Sequence, residues 1–261
     1  MYETIITEVR GQTGWITLNR EERRNALNPT AVRELTAALK EMEDETEVIS
    51  LVLTGAGEKA FCAGMDLGGG EALELSFLDR HELQRQFVEL LKTMKALKKP
   101  LIARVQGSAL GGGFGLMSAC DLVVAADHIQ CGTPEINLGL FPYMITAVLL
   151  RATGNPGALL EMMLTGERIS AARAVELGFI NHLVQREALD AAVEEIAGKL
   201  NAKSPAVLRL GRRAFYTARE MPYEQALEYL SGMLALNMQA EDMMEGIMAF
   251  MEKREARWQG K

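Results

Sequence analysis

The segment "LIARVQGSALGGGFGLMSACDLVVAA", Leu101 to Ala126, constrains the fold more than any other. An unbroken apolar run of strand length opens it. A glycine-rich loop follows, then a short apolar helical stretch, then a second apolar run, "DLVVAA". Apolar runs without polar alternation suit strands covered on both faces, as in a parallel sheet. Five glycines stand in the middle, at positions 107, 111, 112, 113 and 115. A strand that turns through glycines straight into a helix gathers free N–H groups at the positive end of the helix dipole. From the residues, two readings stay open. The glycines permit tight helix–strand packing, or they let a ligand approach the backbone.

The rest of the chain alternates in the same way. "TIITEVR" and "GWITLNR" read as strands around the turn "GQTG". Asn28 followed by Pro29 is a helix start, and Val32, Leu35, Leu39 and Met42 follow at helical spacing. "VISLVLTG" is another buried strand, and Leu83, Phe87, Leu90, Met94 and Leu97 mark a second amphipathic helix. Strands alternating with helices predict an α/β layer structure. Beyond Phe141 the pattern is helical, interrupted by "FINHLV", with a new helix from Ser204-Pro205 that leaves the remainder helical to Trp258. The expected division is an α/β core over residues 1–200 and a helical region over 201–261. That region is apolar on more than one face, through Leu227, Leu230, Leu234, Met244, Ile247 and Phe250. It packs back on its own core or on another subunit, and its many methionines suit an adaptable interface.

Composition removes several function classes. The net charge of −7 over 261 residues argues against a nucleic-acid surface. Neither G-x-G-x-x-G nor G-x-x-x-x-G-K-[ST] occurs, and Ser108 does not stand at a G-x-S-x-G elbow. Three cysteines leave an odd thiol and no disulfide framework, which suits a reducing compartment. The first residues lack a signal pattern, and the longest apolar stretch is shorter than a membrane span and holds Pro142. A cytoplasmic, soluble protein is expected, with no membrane partner. His128 and Cys131 offer two ligands, too few for a zinc site, so no metal is expected.

Two glycine-containing loops each follow a buried strand: "FCAGMD", Phe61 to Asp66, and "ALGGGFG", Ala109 to Gly115. One amide from each, aimed at one point, would form an oxyanion hole for a carbonyl oxygen that gains charge.

Six pieces together carry a resemblance: "LNREERRNALN", "LTGAGEKAFCAGMDL", "KKPLIARVQGSALGGGFGLMSACDLVVAA", "TPEINLGLFP", "LTGERISAARAVELGFINHLV" and "EDMMEGIMAFMEKR". In this order, over nearly the whole chain, they resemble the crotonase, or enoyl-CoA hydratase/isomerase, superfamily. The resemblance implies an α/β fold, a crotonase-like spiral of ββα repeats with a helical C-terminal trimerisation region, in a homotrimer or a hexamer built as a dimer of trimers. It implies an acyl-CoA thioester as substrate and no separate cofactor, coenzyme A being part of the substrate. The amides of Met65 and Gly112 match the oxyanion-hole positions, with Gly64, Asp66, Leu67 and Gly111 beside them. Arg24, Ala26, Leu27 and Ala63 match positions that hold the CoA and its adenine. Lys253 matches a basic residue near the CoA phosphates, sometimes supplied by a neighbouring subunit. Arg20 and Arg23 are read as solvated surface charges, and Asp66 as a brace for its loop.

The resemblance also bears on the chemistry. Members that hydrate a double bond usually carry two glutamates, one two residues after the glycine triplet and one in the "PE" of the next loop. Here the first position is Gly115 and the second is Glu135. Two carboxylates divide the work of adding water, whereas one suffices to move a proton between carbons. The reading is therefore double-bond isomerisation or an atypical hydration through Glu135. The alternative is a non-catalytic acyl-CoA-binding or scaffold protein of the same shape. Tyr143 is a candidate helper or, more simply, a wall of the acyl pocket. With Phe141 and Met144 it suggests an acyl group of modest length or a flat one.

Overall fold

The computed structural model describes residues 2–66 and 76–261. β1 (Ile5–Arg10) pairs antiparallel with β2 (Thr13–Leu18), and α1 (Pro29–Asp44) follows, with the Asn28 side chain capping it by accepting from the Ala31 amide at 2.8 Å. Then come β3 (Ser50–Gly55), β4 (Ala60–Cys62) and α2 (Phe77–Ala96); β5 (Leu101–Val105), β6 (Ser108–Leu110) and α3 (Gly112–Ala119); β7 (Leu122–Ala126), β8 (Gln130–Gly132) and a 3-10 helix over Pro134–Leu138. The chain continues with α4 (Tyr143–Ala152), α5 (Pro156–Thr165), β9 (Arg168–Ser170), α6 (Ala171–Glu176), β10 (His182–Val184) and α7 (Leu189–Asn201). It ends with α8 (Pro205–Ala218), α9 (Tyr223–Asn237) and α10 (Glu241–Glu252).

The middle of the chain repeats one unit. The first strand of each unit enters one sheet, and the second, a three-residue strand, enters another. The larger sheet runs β1-β2-β3-β5-β7-β10 and is parallel from β2 onward; the smaller runs β4-β6-β8-β9, with only β9 antiparallel. This is the expected spiral of ββα repeats. The smaller sheet was not expected from the sequence pattern, because three-residue strands carry no readable period. Its strands lead into both glycine loops, so the loops hang from β4 and β6, not directly from the long buried strands.

The central strands of the large sheet are buried on both faces, while β1 and β10 at its edges are more exposed. Every residue of β3 is buried, with Leu51, Val52 and Leu53 fully so. α1 packs against β1 and β2, and α7 against β3, β5 and β7. A polar cluster ties the helical region to this core. The Asp121 carboxylate accepts from the Leu101 amide at 2.7 Å, from Arg212 Nε at 2.8 Å and from the Tyr216 hydroxyl at 2.6 Å. Arg212, on α8, also donates to the carbonyls of Met94, Lys95 and Leu97 at the end of α2. Regular helix ends at Glu252, so the last residues before Trp258 are not helical as the sequence pattern suggests. Among the described residues no helix is long and apolar enough to cross a membrane, and no cluster of His, Cys, Asp and Glu could hold a metal ion.

Candidate active site

Two loops are zipped together below α3. The Leu27 amide donates to the Gly64 carbonyl at 2.8 Å, the Asp66 amide to the Leu27 carbonyl at 2.9 Å, and the Ala63 amide to the Arg24 carbonyl at 3.1 Å. These bonds make a short parallel bridge between Leu27 and Met65. Arg20 clamps it from the side. Its guanidinium pairs with the Asp66 carboxylate at 2.9 Å and donates to the Ala26 carbonyl at 2.5 Å, both charged side chains being only 15% exposed. This corrects the reading of Arg20 as a solvated charge: Asp66 lies across a loop that sequence spacing cannot span. Asp66 does brace its loop, with Arg20 as partner. Arg23 and Arg24 are exposed, and Arg24 holds a left-handed conformation, φ 52°.

The bridge aims Met65 at the start of α3. Gly64, with φ 95°, turns the chain so that a Cβ on it would stand 3.2 Å from the Gly112 amide nitrogen. A Cβ on Gly112 would stand 3.6 Å from the Met65 nitrogen and 3.5 Å from Cζ of the buried Phe87. The two amides therefore border one small space with an aromatic wall. The packing reading of the glycines holds at one position. Gly113 is there for packing, since a Cβ on it would lie 2.1 Å from the Cys62 carbonyl oxygen. Gly111, with φ 52° and ψ −127°, makes the turn into the helix in a conformation that side chains resist.

Glu135 meets this turn from the other side. It sits in the first turn of the 3-10 helix after Thr133-Pro134, and its Oε1 lies 2.8 Å from where a Cβ on Gly111 would be. Its Oε2 is buried and has no hydrogen-bond partner among the described residues. Burial pushes the Glu135 carboxyl above the usual carboxylate range, and its own backbone amide pulls weakly the other way. The Thr133 hydroxyl is likewise buried with no partner among the described residues. The sequence reading passed over Thr133, whose only signal is its place just before the "PE".

The structure thus links these residues in a row of contacts: Ala63, Gly64, Met65 and Asp66 against the loop of Ala26 and Leu27, Gly64 and Met65 against Gly111 and Gly112, and Gly111 against Glu135. Leu67 lies outside the described residues. Tyr143 is largely exposed, its ring 5.2 Å from that of Phe141, and it lines a cavity of about 730 Å3 between α2, α4 and α8 that does not include Glu135. Lys253 is exposed at the end of α10, which packs on α8, away from the zipped loops. The cysteines are buried free thiols; burial pushes those of Cys62 and Cys131 up to about 12, which leaves them inert.

A buried carboxyl with an oxygen that lacks a partner among the described residues is a group that can take up and return a proton. The family model described as enoyl-CoA hydratase/isomerase matches residues 9–261. The short-chain-enoyl-CoA hydratase of Clostridium acetobutylicum is 32% identical over 251 residues, 96% of this chain and 95% of that protein. The crotonyl-CoA hydratase of Syntrophomonas wolfei is 33% identical over 256 residues, 98% of this chain and 97% of that protein. The crystal structure of an enoyl-CoA hydratase from Bacillus anthracis matches with a TM-score of 0.94 at 31% identity, covering 99% of this chain and all of that one.

Proposed function

This chain belongs to the enoyl-CoA hydratase/isomerase family, and from that premise we propose that it shifts the double bond of an enoyl-CoA thioester with Glu135 as its single acid/base. The observation that supports the reading is the Glu135 carboxyl, held against Gly111 with Oε2 buried and without a hydrogen-bond partner among the described residues. In this reading those amides take the thioester oxygen. Glu135 removes a proton from the carbon next to the thioester, the charge spreads onto the oxygen as a dienolate, and the same carboxyl returns the proton further along the chain. No atom is gained or lost. Burial suits the task, because a carboxyl held above its usual range is a better proton shuttle near neutrality.

Arg24, Ala26, Leu27 and Ala63 take the CoA in the same reading, the exposed Arg24 supplying local positive charge on an acidic protein. Lys253 adds charge from a neighbouring subunit. The subunits form a trimer, alone or paired, through the tail, where Leu234 is 63%, Met251 75% and Phe250 85% exposed in the single chain. The CoA belongs to the substrate, so neither cofactor nor metal is required. Three buried free thiols suit a reducing cytoplasm.

The two curated relatives are named for water addition. The proton shift is favoured here because position 115 carries no acid. A panel of enoyl-CoAs unsaturated at different carbons, followed by mass and absorbance, tests the assignment. An unchanged mass with a shifted absorbance supports it; a gain of water as the main product contradicts it.

A further inference from the structure

The Gly115 amide donates to the Gly111 carbonyl at 3.1 Å, so the two glycines stand one turn apart on α3, separated by about 6 Å. What faces each differs. A Cβ on Gly111 would meet the Glu135 carboxyl, whereas a Cβ on Gly115 would meet Ile145 Cγ2 at 2.3 Å and Ile145 Cβ at 2.9 Å. The position one turn on from Gly111, the glycine that seats the Glu135 carboxyl, is not an empty place that merely lacks an acid. A branched side chain from α4 fills it, 3% exposed. Such a side chain is stiff about its first torsion and cannot swing aside as a lysine or methionine could.

We propose that Ile145 determines which reaction this site performs: its methyl closes, with hydrocarbon, the position from which a second carboxylate would share the substrate with Glu135. The proposal rests on the reading of Glu135 as acid/base and goes beyond it by naming the residue that selects between the outcomes. Adding water forms a C–O bond at the carbon beyond the one next to the thioester, places a proton on that nearer carbon, and takes a proton from the water. Two carboxylates divide those transfers. A double-bond shift moves one proton from carbon to carbon, which one carboxylate does alone. A methyl group neither orients water nor yields a proton, and a water lodged beside it lacks the polar partners that would hold it.

A role in helix packing alone would leave the ratio of products untouched, so that ratio is the readout. Gly115→Glu, Ile145→Ala and the double variant are assayed with crotonyl-CoA for gain of water and with a 3-enoyl-CoA for isomerisation. Folding is checked by circular dichroism and CoA-ester binding by calorimetry. The double variant is expected to raise hydration relative to isomerisation at least tenfold over the unaltered protein and over Gly115→Glu alone. A folded double variant that isomerises through Glu135 with the ratio unmoved overturns the proposal. Should the double variant not fold, Ile145→Ala titrated with formate decides. A saturable rise in hydration supports the proposal, and none overturns it. Failure of the underlying reading looks different: Glu135→Gln would then leave turnover at its original rate in every background.

Discussion

The Glu135 carboxyl rests against the α-carbon of Gly111, with Oε1 2.8 Å from where a Cβ would stand. One glycine thus sets both the turn into α3 and the seat of the acid. Gly111→Ala forces a left-handed conformation at a cost of about 1–3 kcal/mol and pushes the carboxyl away. The expected result is a kcat/KM lower by about 100-fold or more, since displacement of a reacting group by about 1 Å has that effect. Kinetics on a variant shown by calorimetry to be folded provide the check.

The raised position of the Glu135 carboxyl has opposite consequences for stability and activity. An acid that holds its proton more tightly when folded stabilises the fold fully below its unfolded value and loses that contribution as the pH rises through its folded value. Glu135→Gln escapes the loss. Its melting temperature should exceed that of the unaltered protein at pH 8, with the gap closing towards pH 4. Activity needs the ionised form, so the acid limb of kcat/KM should lie above the ordinary glutamate range near ~4.3. Thermal melts and rates across pH measure both.

The Arg20–Asp66 pair holds the loop expected to carry the CoA against the loop that carries Met65. Arg20→Met removes the ion pair with Asp66 and the hydrogen bond to the Ala26 carbonyl, charged hydrogen bonds worth about 1.5–3 kcal/mol each. A several-fold rise in KM is expected, larger than the fall in kcat. An unchanged KM would separate this pair from substrate binding.

Asp121→Ala tests the latch between the core and α8. Arg212 is 6% exposed and would be left without its carboxylate, a loss of about 3–5 kcal/mol for a buried pair. The expected variant melts early and sheds its helical region to protease first, between residues 201 and 205. If the proposed trimer forms through the tail, sedimentation should then show less of it.

Much of this was legible in the sequence, and the physical reason is local. β3, β5 and β7 announce themselves as continuous apolar runs, α1 by its Asn28 cap, and the site by glycines and a carboxylate at fixed places in short motifs. The smaller sheet was not legible, because β4, β6 and β8 are too short to show a period. Arg20 was misread because its partner lies in another loop. Ile145 gave no signal at all: it is one more apolar residue on an apolar helix, and its meaning comes only from the glycine it faces.

The central claim is that Glu135 moves the proton. The most direct measurement is deuterium uptake from heavy water at the carbon next to the thioester, in a bound acyl-CoA, for the unaltered protein and for Glu135→Gln. The account predicts that uptake falls about 100-fold to 10,000-fold in the variant while calorimetry shows the CoA ester still bound. Uptake at the original rate in a folded, ligand-binding Glu135→Gln variant would contradict it.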